Sequence, residues 1–267
     1  RSRALNPMKP NTRGTAQNDD IYFQATEVRN IFYDRVPDIV NSYMEKINNI
    51  ASTNYKPFNY YGSSSAKKVI VAMGSVCETI KETIDNTNEE VGLIEVHLYR
   101  PFSVEYLLNV LPSSVEKIAV LDRTKEFGSI GEPLYLDIVS ALSNKNITIV
   151  GGRYGLSSKN TTPAQIKAVY DMLDNPKNNF TIGITDDVTN LSLSIPEFNI
   201  KTSREMLIYG YGSDGMISAS KSIIKLISTF DKNIIMAAID KKGPYGISWV
   251  LFTFNNIKDI GKAIKAD

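Results

Sequence analysis

The sequence has one cysteine, Cys77, and one histidine, His97. A single cysteine excludes an internal disulfide and cannot alone hold an iron–sulfur cluster or a Cys-type zinc ion. A single histidine removes His-rich metal sites and argues against a serine triad. In GLIEVHLYRPF, His97 closes a strand-like run, and we read it as a hydrogen-bonded structural residue rather than a catalytic base. Cys77, in MGSVCETIKETI, lies in the first turns of a helical pattern with no basic neighbour and is read as structural too. An excess of charge is also missing. Thirty Lys and Arg against 29 Asp and Glu leave a net +1, so no basic field points to nucleic acid. No apolar run approaches the ~18 residues of a membrane helix. The start, RSRALNPMKP, has neither an apolar signal core nor a Met, and we expect the chain to begin inside a longer polypeptide.

What is present is ordinary globular composition, 42% hydrophobic and 22% charged over 267 residues, enough to bury a core. Three segments are expected. Residues 1–62 open on the Pro- and Asn-rich NPMKPNTRGTAQND, which should be looped. VPDIVNSYMEKINNIA follows, with apolar residues at the 3- and 4-residue intervals of one helix face and no sheet of its own. Residues 63–200 alternate β-type runs (KKVIVAM, GLIEVHLY, EKIAVLD, NITIVGG, FTIGITD) with helical patterns. This predicts an α/β fold, a mainly parallel sheet flanked by helices on right-handed crossovers. Residues 201–267 hold a partial second α/β unit, with strands expected at NIIMAAID and ISWVLFTF.

Between the last strand and helix patterns, LIYGYGSDGMISAS carries glycines at G-x-G-x-x-G spacing: Gly210, Gly212 and Gly215. Strand, glycine turn and helix can cradle a phosphate on backbone N–H groups. On spacing alone three readings stand. One is a Rossmann dinucleotide site with Asp240 on the ribose, one a structural turn, and one a site for another phosphorylated ligand. Asp214 inside the loop opposes an anion unless it caps an N–H or faces away. Lys241 and Lys242 are expected close to the loop, because strand ends meet at one edge of a parallel sheet. Elsewhere, Asp122, Arg123, Lys125 and Glu126 follow a strand without an acid–base pairing, and Arg153 is placed to hold an anion or pair with an acid.

NPMKPNTRGTAQNDDIYFQ, VIVAMGSVCETI, LYRPFS, VLDRTKEFGSIGEPLYLDI, GGRYGLSSK, FTIGITDDVTNLSL and YGYGSDG with its Lys-Lys turn resemble, in matching order, the pyruvate:ferredoxin oxidoreductase family. The resemblance implies an internal part of that enzyme. Residues 1–62 would end the pyrimidine-binding domain and supply a linker helix. Residues 63–200 would form the transketolase C-terminal-like domain, and residues 201–267 would begin the gamma-type coenzyme A domain. It implies oxidation of pyruvate to acetyl-CoA and CO2 on thiamine diphosphate with Mg. Electrons would leave through 4Fe-4S clusters to ferredoxin or flavodoxin or, in the fused form, through a flavodomain to NADP. The family's thiamine and cluster residues fall before Arg1 and beyond Asp267, so this chain would bind no cofactor and carry no catalytic or metal residue. Coenzyme A contacts carry over to Gly212, Ser213, Asp214, Gly215, Met216 and Lys241. Met216 replaces the family's usual Thr, and Gly243-Pro244-Tyr245-Gly246 replaces its Ser-Gly-Gly. Partners would be the remaining domains of one polypeptide in a homodimer, with no nucleic acid and no membrane. The compartment would be the cytoplasm, or a hydrogenosome-type organelle in an anaerobic eukaryote. The alternatives are a stand-alone Rossmann-type dinucleotide-binding protein and an assembly module.

Overall fold

A computed structural model of the chain describes residues 6–10, 17–185, 187–200, 204–210, 215–228, 241–242 and 248–254. Its centre is a six-stranded sheet of β1 (Phe58–Gly62), β2 (Lys68–Ala72), β3 (Val91–Val96), β4 (Lys117–Asp122), β5 (Thr148–Arg153) and β6 (Phe180–Thr181). The order is β1-β3-β2-β4-β5-β6, and every neighbouring pair is parallel except β1 with β3. The expected α/β sheet is therefore present. Its edge strand FNYYG falls inside the first sequence segment, ahead of the Gly62 boundary. It escapes a strand–helix reading because it pairs antiparallel, with no helix between it and β2.

The central strands are apolar on both faces because both faces are covered. Ile70 and Ala72 of β2 enter one core layer, and Val69 and Val71 enter the other. The first layer lies under α4 (Val76–Asp85) and α7 (Pro163–Met172), the second under α5 (Val104–Val110) and α6 (Pro133–Ala141). Tyr170 of α7 is fully buried, and its hydroxyl donates to the Gly92 carbonyl at 2.9 Å. The Phe180 ring occupies the space that a side chain at Gly152 would need. α4 steps from β2 to β3 on one face, while α5 and α6 step the opposite way on the other face, so these three connections share a hand. For parallel strands that hand is the right one. α7 steps in the direction of α6 but lies on the face of α4, so the last connection has the opposite hand and departs from the expectation. Its strand, β6, is only two residues long, and little ladder depends on it.

Ahead of the sheet run α1 (Asp19–Glu27), the short α2 (Asn30–Tyr33) and α3 (Val36–Ala51). The Asn18 side chain caps α1 by accepting from the Ile21 N–H at 3.0 Å, and Asp19 and Asp20 complement the positive helix end. α3 starts with Pro37 in its first turn and ends at Ser52 in the left-handed region, φ 54°. It is tied to α5 where the Tyr106 hydroxyl donates to Asp38 at 2.9 Å. A second, three-stranded sheet has the order β7-β9-β8, all antiparallel: β7 (Arg204–Gly210), β8 (Lys241–Lys242) and β9 (Ser248–Phe254). α8 (Met216–Ser228) follows β7. The strand expected at NIIMAAID lies outside the described residues. Among the described residues no helix is long and apolar enough to cross a membrane.

Candidate functional site

The glycine loop joins β7 to α8. Gly215 takes φ +86°, which L-residues rarely adopt, and a Cβ there would meet nothing within 4 Å. Its carbonyl accepts the first helical bond, from the Ala219 N–H at 2.9 Å. The N–H groups of the first turn of α8, beginning at Met216, thus lack intrahelical partners and define the donor end of the helix. Met216 contributes no hydroxyl to that end. Gly212, Ser213, Asp214 and Asp240 lie outside the described residues.

Lys241 stands at the same sheet edge as the loop, by a route different from the one expected. β8 is not the neighbour of β7, because β9 runs between them. Tyr209 and Lys241 both sit opposite Trp249. β7 and β8 are each antiparallel to β9, so they run parallel to each other and end together. Two strand spacings put the Lys241 backbone about 10 Å from the end of β7.

At the carboxyl edge of the six-stranded sheet the polar residues are mostly committed to one another. Asp122 is buried at the end of β4 and accepts from the Leu134 and Tyr135 N–H groups, both at 3.1 Å. It therefore caps α6 from outside the helix. Burial pushes its carboxyl up from the ordinary Asp value, and the two N–H bonds pull against that. Glu132, just ahead of Pro133, is almost wholly buried and pairs with Lys125 at 3.2 Å and Arg153 at 3.3 Å. Arg153 also donates to the Asn179 carbonyl at 3.0 Å. Of the two readings of Arg153, the acid partner is the one realised. Glu132 was not singled out from sequence; its place just before Pro133 marks a helix start but not its burial.

His97 directly follows β3, and Cys77 lies in the first turn of α4. The His97 backbone N–H donates to the Pro57 carbonyl at 3.0 Å, while its Nε2 lies 3.7 Å from Glu95 and its ring meets Tyr55 edge-on. Cys77 is fully buried, and desolvation pushes its thiol up to about 12, far from a reactive or ligating thiolate. Among the described residues no three His, Cys, Asp or Glu side chains gather as a metal site.

A mostly parallel sheet with a self-satisfied polar edge, followed by a glycine-loop unit, defines an α/β core domain coupled to further structure. Residues 66–166 match the family model described as pyruvate:ferredoxin oxidoreductase core domain II. The chain is 52% identical over 238 residues to the pyruvate:ferredoxin oxidoreductase of Moorella thermoacetica, covering 85% of this chain and 20% of that protein. It is 47% identical over 284 residues to the pyruvate-flavodoxin oxidoreductase of Enterobacter agglomerans, covering 100% of this chain and 24% of that protein. Against the pyruvate dehydrogenase [NADP(+)] of Cryptosporidium parvum it is 46% identical over 242 residues, 12% of that protein. The chain belongs to the pyruvate:ferredoxin oxidoreductase family. It spans about a fifth of the length of the relatives it matches.

Proposed function

We propose that this chain is the structural and coenzyme A-side part of an enzyme that oxidises pyruvate with coenzyme A to acetyl-CoA and CO2. The observation that carries this is 46–52% identity, across most of the chain, to proteins named for that substrate and for ferredoxin, flavodoxin or NADP as acceptor. Thiamine diphosphate, Mg and 4Fe-4S clusters belong, in this reading, to other domains of the same polypeptide. Cys77 does not fit a cluster ligand, being alone, buried and held as the neutral thiol. The division at residues 62 and 200 into the end of a pyrimidine-binding domain, a transketolase C-terminal-like domain and the start of a coenzyme A domain is part of the same proposal. So are a homodimeric whole enzyme and a cytoplasmic or hydrogenosomal setting.

Within this reading the loop Gly212, Ser213, Asp214, Gly215 and Met216 lends backbone N–H donors to a phosphate of coenzyme A, and Lys241 neutralises it. The left-handed Gly215, the donor end of α8 and the shared sheet edge of Lys241 support it. In the complete polypeptide, Lys241→Ala should raise the KM for coenzyme A about tenfold, one charge-assisted bond, and leave that for pyruvate unchanged. An unchanged coenzyme A KM removes Lys241 from the site.

A second reading, docking by the first segment, rests on α1, α2 and α3. α1 and α2 bury no residue, and α3 buries only Pro37. We infer that their apolar faces pack on other domains of the same polypeptide. Chromatography of the chain should then show self-association that Phe23→Ser with Phe32→Ser abolishes. A monomer that binds no apolar dye would count against docking.

A further inference from the structure

The six-stranded sheet has a divergence point that the proposed function does not use. From β2 the chain goes to β3 on one side, and β4 then takes the other side, so the connections part between β2 and β4. In open parallel sheets the crevice outside the carboxyl ends at such a point is where ligands bind. Here that place holds a crevice of about 160 Å³. Three carboxyl-end loops wall it: Ser75 and Thr79 at the start of α4, Arg123 after β4, and Ser158 and Lys159 after β5. The volume is below that of sites for whole drug-sized molecules, roughly 300–1,000 Å³, and suits one small group.

The charges of the lining are one-sided. Arg123 and Lys159 are among the lining residues and no carboxylate is. Its neighbours in chain and space contain acids, but those are spent elsewhere: Asp122 on the amides of α6, and Glu132 on Lys125 and Arg153. Among the described residues, the hydrogen-bond partners of Arg123 are neutral acceptors. Its Nε donates to the Gly155 carbonyl at 2.9 Å and its Nη2 to the Ser158 Oγ at 3.1 Å. A guanidinium fixed in this way keeps its full charge and still has unspent N–H donors in a rigid fork. Ser75 makes no side-chain capping bond to the ten-residue α4, so its hydroxyl is uncommitted there. The positive end of α4 adds to the same field.

We propose that this crevice binds a phosphate-type oxyanion, as free phosphate or as the phosphate of a monoester. Arg123 is the forked anchor, Lys159 the second charge, and Ser75 and Thr79 the hydroxyl donors. The inference does not depend on the coenzyme A reading, which concerns the other sheet.

The test is calorimetric titration of the chain with inorganic phosphate and with glycerol 3-phosphate, against sodium chloride and sodium acetate at equal ionic strength. Saturable binding of phosphate or its monoester, absent with chloride and acetate, is the expected result. A tighter monoester assigns an esterified ligand, and equal or tighter inorganic phosphate assigns the free ion. Arg123→Gln should weaken binding about tenfold or more and Lys159→Gln about threefold, while Lys46→Gln on α3 changes nothing. Circular dichroism establishes that each variant is folded, and Lys159, an exposed surface residue, serves if Arg123→Gln does not fold. No phosphate binding overturns the proposal. So does an equal response to acetate, or binding that survives both substitutions.

Discussion

The sheet domain and the helical segment ahead of it are built from similar proportions of apolar residue and spend them in opposite ways. In the sheet domain Phe58, Ile70, Leu93, Leu121, Tyr170 and Phe180 have no more than 1% of their surface exposed. In α1 and α2, Phe23 and Phe32 keep 68% and 67% of theirs. Polar groups divide the same way. Asp122 and Glu132 find partners inside the sheet domain, whereas Asn41 of α3 donates to Glu45 one turn further along its own helix. Short helices without a buried face gain too little to offset the ordering of their chain. The comparison teaches that the sheet domain owns its stability, while the helices, in the docking reading, would draw theirs from what they pack on.

The largest test of that difference is a cavity. Phe180→Ala should cost the sheet domain about 3–5 kcal/mol in urea unfolding, since the ring fills the space over Gly152 in the core layer under α7. Glu132→Ala should cost about as much, because it leaves Arg153 buried without its acid; Arg153→Met with Glu132→Leu should recover most of the loss. Tyr170→Phe keeps the packing and removes one bond to the Gly92 carbonyl, for about 1 kcal/mol. Phe23→Ala and Phe32→Ala should move the same transition by no more than about 0.5 kcal/mol. If the helix variants matched Phe180→Ala, the two regions would be one cooperative unit and the comparison would fail.

Much of this was legible in the residues. The runs KKVIVAM and EKIAVLD read as strands covered on both faces because apolar residues fill both parities, and in the structure Ser103 and Thr162 cap the helices α5 and α7 that do part of the covering. β1 was not legible, since an antiparallel edge strand such as FNYYG has neither a following helix nor a continuous apolar run. The hand of the last connection was not legible either. It depends on which face receives α7, a choice made by Tyr170 and Phe180 meeting strands distant in sequence. At the candidate sites the glycine spacing was plain, and so was the proximity of Lys241 to the same edge, but the strand between them was not. Arg123 and Lys159 lie far apart in the chain and meet because β4 and β5 pair as parallel neighbours, which puts both following loops at one edge.

The smallest effect lies where the sheet domain ends, in the stretch TDDVTNLSL. Asp187 accepts from the Thr189 N–H at 3.0 Å and the Thr189 hydroxyl at 2.6 Å, and from the Ser192 N–H at 2.5 Å. Those bonds, led by the Thr189 hydroxyl, favour the charged form and hold its carboxyl well below the usual Asp range. Unfolded, the same carboxyl would titrate near 4. The sign follows: between those values the unfolded chain binds the proton and the folded loop does not. The contribution is present in full above the unfolded value and is lost as the pH falls through the folded one. The group lies at the surface, so the effect should be local. It should be seen in the Ser192 amide, whose loop also carries the bridge from Thr181 to Ser192 that extends the edge of the sheet. Relative to the intrinsic exchange rate at each pH, the protection of the Ser192 and Leu193 amides should fall below pH 4 in the native chain, while the core amides of β2 and β4 stay protected. Asp187→Asn should show the lower protection already at neutral pH. An Asp187 carboxyl titrating near 4 in the folded chain would mean that this margin belongs with the helices rather than with the sheet.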